Sequence, residues 1–429
     1  MCYLAGTKQI NRRQHVRHLH PLTNHRALCD QDQSSSDQWK IRTMDVVFWQ
    51  NIASHIQAPA LRVLCRLWPG RVHGVWCSGL DAERRALGWQ TPCIEGMEEH
   101  VLPDKNAADA ARDLMRNFGG GIHIMSGLHA YAPIIAAYRA AVRLGVTDLG
   151  LMVEPGVQMG WKGLMRPWRA RWLARNYIPH IKAVLAMGQH GVEFYRRAGF
   201  SDEVLFPYLY QCESYPARSP EPVHDPVRLV YVGKFIPRKG VDVMIRALGK
   251  CRRGNWRLSV IGDGTESWQM QDLAQRVGVA SHIAWLGAKP SSAIISLLSQ
   301  HDICLIPSRY EGWGVVSNEA IQAGLAVVCS SQVTSRELVD ASGAGTIFRS
   351  EDPVDMAISI DSFLTNPDMI SEAKNKACAY RARIGQAVIG EYLKDVLAYV
   401  FLGDGDIRPR APWLDTVKES PERFDGGSI

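Results

Sequence analysis

No stretch of this 429-residue chain holds the eighteen or so consecutive apolar residues that a membrane-spanning helix needs. The opening Met1-Cys2-Tyr3-Leu4-Ala5-Gly6 is not followed by a sustained apolar core, so no secretory signal peptide is expected. The ten cysteines include no CxxC pair, which excludes the usual thiolate zinc sites. Several, such as Cys304 and Cys329, sit in apolar runs where a thiol behaves as a small hydrophobe. That usage fits a reducing compartment, so the expected location is the cytoplasm or the inner face of the plasma membrane. Charge of one sign is scarce outside the start. Of the net +6, residues 1–43 hold +4, with seven Lys or Arg against three Asp. A body so nearly neutral is not expected to bind nucleic acid. No Asp-x-Asp stands at a predicted strand end, so no metal is expected in the chemistry.

What is present is ordinary globular composition, 46% apolar and 21% charged, in a chain long enough for two domains. Residues 1–43 lack periodicity and read as a poorly ordered extension; Met44, just before the strand Asp45–Trp49, is an alternative start. Strands and helices then alternate. Strands are expected at 72–77, 121–126, 149–153, 181–187 and 204–207, and helices at 106–118, 132–144 and 191–198. This alternation predicts a mostly parallel sheet covered on both faces. Prolines 216, 220, 222 and 226 mark a linker. The alternation restarts at Val227 and continues through a helix over 368–381. The expected domains are 44–212 and 226–387, with a last amphipathic helix, 388–402, packing back on the first domain and a loose tail over 403–429.

The richest stretch is Pro307-Ser308-Arg309-Tyr310-Glu311-Gly312-Trp313-Gly314-Val315-Val316-Ser317-Asn318-Glu319-Ala320. It follows the apolar strand Ile303–Ile306 and leads into a helix that Gly324 stops. Two carboxylates, Glu311 and Glu319, bracket the start of that helix. Its unpaired backbone amides suit a phosphate or another polar ligand. Upstream, Gly233-Lys234-Phe235-Ile236-Pro237-Arg238-Lys239-Gly240 joins a strand to a helix. A regular doubly wound sheet puts its cations on the same side as Glu311, where they suit a diphosphate; the plain alternative is a solvated basic loop. Ile261-Gly262-Asp263-Gly264 ends another strand in a tight turn.

In order, Gly-Lys-Phe-Ile-Pro-Arg-Lys-Gly, Ile-Gly-Asp-Gly, Pro-Ser-Arg-Tyr-Glu-Gly-Trp-Gly with a second Glu eight places on, and Ala323-Gly324-Leu325-Ala326-Val327-Val328 end successive strands. This series resembles glycosyltransferase family 4, the group 1 retaining glycosyltransferases. The resemblance is close over 227–350 and looser over 44–210. It implies the GT-B fold: two facing Rossmann-like, doubly wound parallel-sheet domains with a deep interdomain cleft. It implies that Glu319 accepts from the nucleotide ribose and that Glu311 lies by the donor sugar. The stretch Gly312, Trp313, Gly314, Val315 and Val316 would contact sugar and phosphate through its amides. Lys239 and Lys234, after Gly233, would hold the diphosphate, although Lys234 stands where the family usually has arginine, with its bidentate fork. His129 resembles the histidine presented to the reactive carbon; otherwise it is a half-buried helix-start histidine. Glu154 faces the same cleft. The loop 50–59 lacks the glycine pair that family members often carry, and Ala53, Ser54, His55 and Gln57 line the acceptor side instead.

The expected catalytic set is therefore Glu311, His129 and Lys239. The donor is a UDP- or GDP-linked sugar, with no separate cofactor. The acceptor is a glycan or lipid-linked glycan of surface polysaccharide synthesis. Residues 161–175 mix tryptophans with five cations and no acid, which suits a membrane surface as well as an amphipathic helix packing its tryptophans inward. The rivals are a nucleotide-sugar epimerase on the same fold and a non-catalytic binding protein of that fold.

Overall fold

The computed structural model describes residues 43–80, 90–127, 130–156, 171, 172, 174–213 and 221–414. His129, the extension up to residue 42 and all but Arg171, Trp172, Ala174 and Arg175 of the cationic segment lie outside the described residues.

The first domain runs β1 (Val46–Gln50), α1 (Ala58–Leu67), β2 (Val72–Trp76), β3 (Met97–Val101), α2 (Ala107–Asn117), β4 (Ile122–Met125), α3 (Ala132–Leu144), β5 (Leu149–Val153), β6 (Ile181–Met187), α4 (Gly188–Arg197) and β7 (Leu205–Tyr208). Its seven strands are ordered β3-β2-β1-β4-β5-β6-β7, all in parallel pairs. The second domain runs β8 (Val227–Val232), α5 (Val241–Leu248), β9 (Trp256–Ile261), α6 (Ser267–Val277), β10 (Ile283–Gly287), α7 (Ser291–Leu298), β11 (Ile303–Ile306), α8 (Val316–Gln322), β12 (Ala326–Ser330), α9 (Arg336–Ser342) and β13 (Gly345–Phe348). Its six parallel strands are ordered β10-β9-β8-β11-β12-β13. Helices α10 (Pro353–Thr365), α11 (Pro367–Tyr380) and α12 (Gln386–Leu397) follow.

Both strand orders reverse beside the first strand of the domain, between β1 and β4 and between β8 and β11. The loops leaving those paired strands diverge to opposite faces, and the gap between them is where such sheets hold ligands. The near-continuous apolar strands 46–50, 303–306 and 326–330 are buried on both faces, as central parallel strands require. One core runs through both domains and joins Phe206 and Tyr208 to Ile306 and Trp313, while separate clusters fill the outer face of each sheet.

Helix α12 lies against α1, and Tyr392 of α12 donates to the Pro207 carbonyl (2.8 Å). The tail is not loose where it is described. Trp413 is fully buried and stacks edge-on with Tyr392 at 5.5 Å between centroids. Arg408 caps the Phe206 ring at 4.3 Å and donates to the Glu203 carbonyl. Buried aromatic surface outweighs the polar, Pro-containing composition that suggested looseness.

Candidate active site

The loop after β8 and the loop after β11 meet because their strands are neighbours at the reversal point. Pro237–Lys239 forms one tight turn that Gly240 ends at φ 66°, and a Cβ there would fall 2.2 Å from the Pro307 carbonyl oxygen. Only glycine lets the two loops touch this closely. Arg309 then clamps them, with both guanidinium nitrogens on the Asp242 carboxylate (2.8 and 2.9 Å) and Nε on Glu351 (2.8 Å). The bidentate geometry fixes orientation as well as distance.

Glu311 lies at this junction. It is buried, and its two carboxylate oxygens pair separately with Lys239 Nζ and Arg238 Nη1. Ser308 donates to the Lys239-paired oxygen at 2.8 Å. Burial pushes the Glu311 carboxyl up, but Lys239 and Arg238 outweigh it and hold the group below its ordinary value. Glu311 is therefore an anion sandwiched by two cations. Lys239, expected to serve a diphosphate, is held by Glu311 in this state. Lys234 is partly exposed on the same loop, one residue after the partly exposed Gly233.

Glu319 lies in the first turn of α8, as expected, and is buried. Burial pushes its carboxyl up to about 7, against the opposing pull of Lys239. The two glutamates thus share one lysine but differ in charge state near neutrality. Gly314, Val315 and Val316 are partly exposed at the start of α8, whereas Gly312 is buried. The Trp313 side chain is 2% exposed and donates to Asn318 Oδ1 (2.8 Å), so it belongs to the core. Trp313 can meet a ligand only through its backbone.

Several contacts cross between the two domains. Tyr310 donates to the Pro155 carbonyl (2.6 Å), and Asn318 to the Tyr210 carbonyl (3.1 Å). Glu337 accepts from the Gln189 amide (2.7 Å) and from Trp413 Nε1 (2.9 Å). The Glu154 carboxylate packs on the Gly312 backbone, where a Cβ would fall 2.0 Å from Oε2. Loss of water raises the Glu154 carboxyl, as does Glu311, against a Tyr210 hydrogen bond and Arg238. Behind Glu154 the first domain holds a cavity of about 690 Å³ lined by Gln50, Gln57, Ser126, Tyr131, Met152, Tyr195 and Tyr210, among others. Gln57 reaches this wall, whereas Ala53 is buried in the core. Glu311 and Glu319 are not on the cavity wall, and Glu154 is the border between the two regions. Arg309 and Asp242 were not singled out in the sequence; they stand 67 residues apart, and only the β8–β11 pairing brings them together.

Residues 217–384 match the family model of glycosyl transferases group 1. The chain carries a group 1 glycosyltransferase domain. It is 27% identical over 272 residues to a glycogen synthase of Mycobacterium tuberculosis, a match covering 61% of this chain and 65% of that protein. A D-inositol 3-phosphate glycosyltransferase of Catenulispora acidiphila is 26% identical over 183 residues, 40% of this chain and 43% of that one. The crystal structure of HepE from Anabaena in complex with UDP superposes with a TM-score of 0.64, covering 83% of this chain and 100% of that chain at 15% identity. The fold of this chain is therefore GT-B, as the strand-end motifs implied.

Proposed function

We propose that the protein is a retaining hexosyltransferase. It moves a sugar from a UDP- or GDP-linked donor to a glycan or lipid-linked glycan acceptor of surface polysaccharide synthesis. The observation that carries this reading is the Glu311 carboxylate held between Lys239 and Arg238 at the β8–β11 reversal, with Glu319 buried beside the same lysine. Glu319 accepts from the ribose hydroxyls. When the sugar–phosphate bond breaks, its electron pair leaves with the diphosphate, and Lys239 and Lys234 meet that growing charge. Lys239 exchanges Glu311 for phosphate in doing so, which frees an oxygen of Glu311 for the hydroxyls of the donor sugar. The amides of Gly314 to Val316, partly exposed residues at the start of α8, contribute further donors.

The acceptor enters the first-domain cavity, whose aromatic walls suit sugar faces; by the family resemblance His129 serves the reacting carbon, and Glu154 orients acceptor hydroxyls. Closure of the two domains excludes the water that would hydrolyse the donor. An acceptor on a lipid carrier accounts for the cationic segment 161–175, of which Trp172 is 69% exposed. No divalent ion takes part in transfer, because the lysines do its work.

A donor panel incubated with and without glycan acceptors, with products read by mass spectrometry, tests this. Acceptor-dependent nucleotide release with an unchanged anomeric configuration is the expected result. Epimer formation without acceptor, binding without turnover, or an inverted anomer overturns it, as does loss of transfer in a chelator at 25 °C.

A further inference from the structure

A second group of chemically competent side chains lies away from the cleft. Strands β2 and β3 pair in parallel, with His73 opposite Glu98 and Val75 opposite His100. Alternation along each strand then puts His73, Glu98 and His100 on one face of the sheet. One ligand atom from each lies within 4.8 Å of the others. His73 is 1% exposed, yet neither of its ring nitrogens makes a hydrogen bond of normal geometry, and His100 Nε2 is equally bare. An imidazole buried with two unsatisfied nitrogens is costly and calls for a partner. His123, two strands away on β4, shows how a core histidine is satisfied. Its Nδ1 accepts from Trp49 Nε1 (3.1 Å), and Nε2 meets the Phe118 carbonyl (3.0 Å).

We propose that His73, Glu98 and His100 bind a divalent transition-metal ion of the Zn2+ type that ties the edge strand β3 to β2. His73 Nδ1 faces Glu98 at 3.4 Å, close to the spacing of about 3.4 Å between ligands of a tetrahedral zinc site. His73 Nε2 faces the Asp45 carboxylate at 3.5 Å, the placement in which a carboxylate orients a metal-bound imidazole. Phe118 packs on both rings, at 4.6 Å from His73 and 5.4 Å from His100, and fixes their tilt. Glu98 is half-exposed and supplies the mobile ligand, with water as the fourth. Arg71 also reaches Asp45 (3.2 Å) and Glu98 (3.8 Å); it is largely exposed and can turn away. Two imidazoles and a carboxylate select zinc over magnesium or calcium. His73 and Glu98 lie at the amino-terminal end of their strands, whereas Glu154 follows the carboxyl end of β5, so the ion is structural.

The test uses the full chain stripped by a chelator and then titrated with Zn2+, reading stoichiometry by calorimetry and the thermal midpoint. The extension contributes His15, His18, His20 and His25, which can also take up metal. Wild type is therefore compared with Glu98→Gln and His100→Ala, whose side chains are not in the deep core. Zinc at a hundredfold excess over Kd is expected to raise the wild-type midpoint by about 5–10 °C. Each variant is expected to lose one equivalent of zinc, or at least tenfold in affinity, together with the rise. Equal stoichiometry and an equal rise in the variants, or no rise in wild type, overturns the proposal. A His73 that merely bridges Asp45 and Glu98 without an ion gives the second of these results. Sugar transfer at 25 °C is independent of this outcome.

Discussion

The Glu154 carboxylate rests on the bare backbone of Gly312, so one side chain of the first domain touches the loop that carries Glu311. A methyl group at 312 would meet chiefly the carboxylate end of Glu154, which can rotate away, and the Glu154 Cβ at 3.3 Å, which need give only slightly. Gly312→Ala is therefore expected to keep its thermal midpoint within about 2 °C, at an estimated cost under roughly 0.5 kcal/mol. It is expected to lower kcat/KM at least about tenfold, because a misplacement near 1 Å at a reacting centre is costly. In a double-mutant cycle, Glu154→Ala should absorb most of the loss, since the two changes act on one contact. Additive losses would show that Gly312 acts on the donor alone.

Lys239 has two duties in sequence, pairing with Glu311 before the donor arrives and with diphosphate after. Lys239→Met removes the cation while keeping most of the stem. Leaving Glu311 with Arg238 alone should cost about 3 kcal/mol of unfolding free energy, the lower end for breaking a buried pair. Lys239→Met with Glu311→Gln should recover most of that stability without recovering transfer. Urea unfolding together with single-turnover kinetics separates the two duties. Recovery of transfer in the double variant would contradict the phosphate role.

The parts of this site legible in the sequence are those whose chemistry lies within a few residues. Lys239, Arg238 and Glu311 stand in two short loops at strand ends, with Glu319 in the helix that follows the second, and strand alternation alone put those loops on one side of the sheet. The Arg309–Asp242 clamp and the Glu154–Gly312 contact depend on strand pairing and on domain packing, neither of which a local pattern encodes. Strand β3, Met-Glu-Glu-His-Val, carries no apolar alternation because it is an edge strand with exposed faces. Helix α1 was hidden by its polar approach and by Pro59, which is harmless at a helix start. The tail misled for the opposite reason, since its few aromatic residues decide its position and its many polar ones do not.

Trp413 supplies the next expectation. It is fully buried, donates to Glu337, and accepts Tyr380 through its carbonyl. Trp413→Ala should destabilise by about 3–5 kcal/mol, the usual cost of emptying a large aromatic site. Ending the chain after Leu402 should cost at least as much. Glu337, which Trp413 and Gln189 hold, has its carboxyl raised to about 7 by burial, against those hydrogen bonds. A raised carboxyl favours the neutral fold, so its contribution is full below the ordinary carboxylate range and lost as pH climbs through about 7. Glu337→Gln should flatten that part of the stability–pH curve in urea midpoints taken from pH 5 to pH 8; an unchanged slope would assign it to another group.

Glu319 carries the sharpest dependence on pH. Buried and raised to about 7, it is largely protonated in mildly acid solution, yet a ribose hydroxyl donates best to the ionised carboxylate. The donor must therefore either bind with release of a proton or wait for a higher pH. Nucleotide-sugar affinity should rise with pH and level off above about 7, and the total change should lie near the roughly 1.5–3 kcal/mol of a charge-assisted bond. Calorimetry in buffers of different ionisation enthalpy should detect the released proton below that point. Glu319→Gln keeps an acceptor oxygen but cannot titrate, so its affinity should be weaker and flat across the range, with no proton released. A variant that kept the slope would transfer the titration to Glu311 or to the ligand, and the ribose role of Glu319 would fall with it.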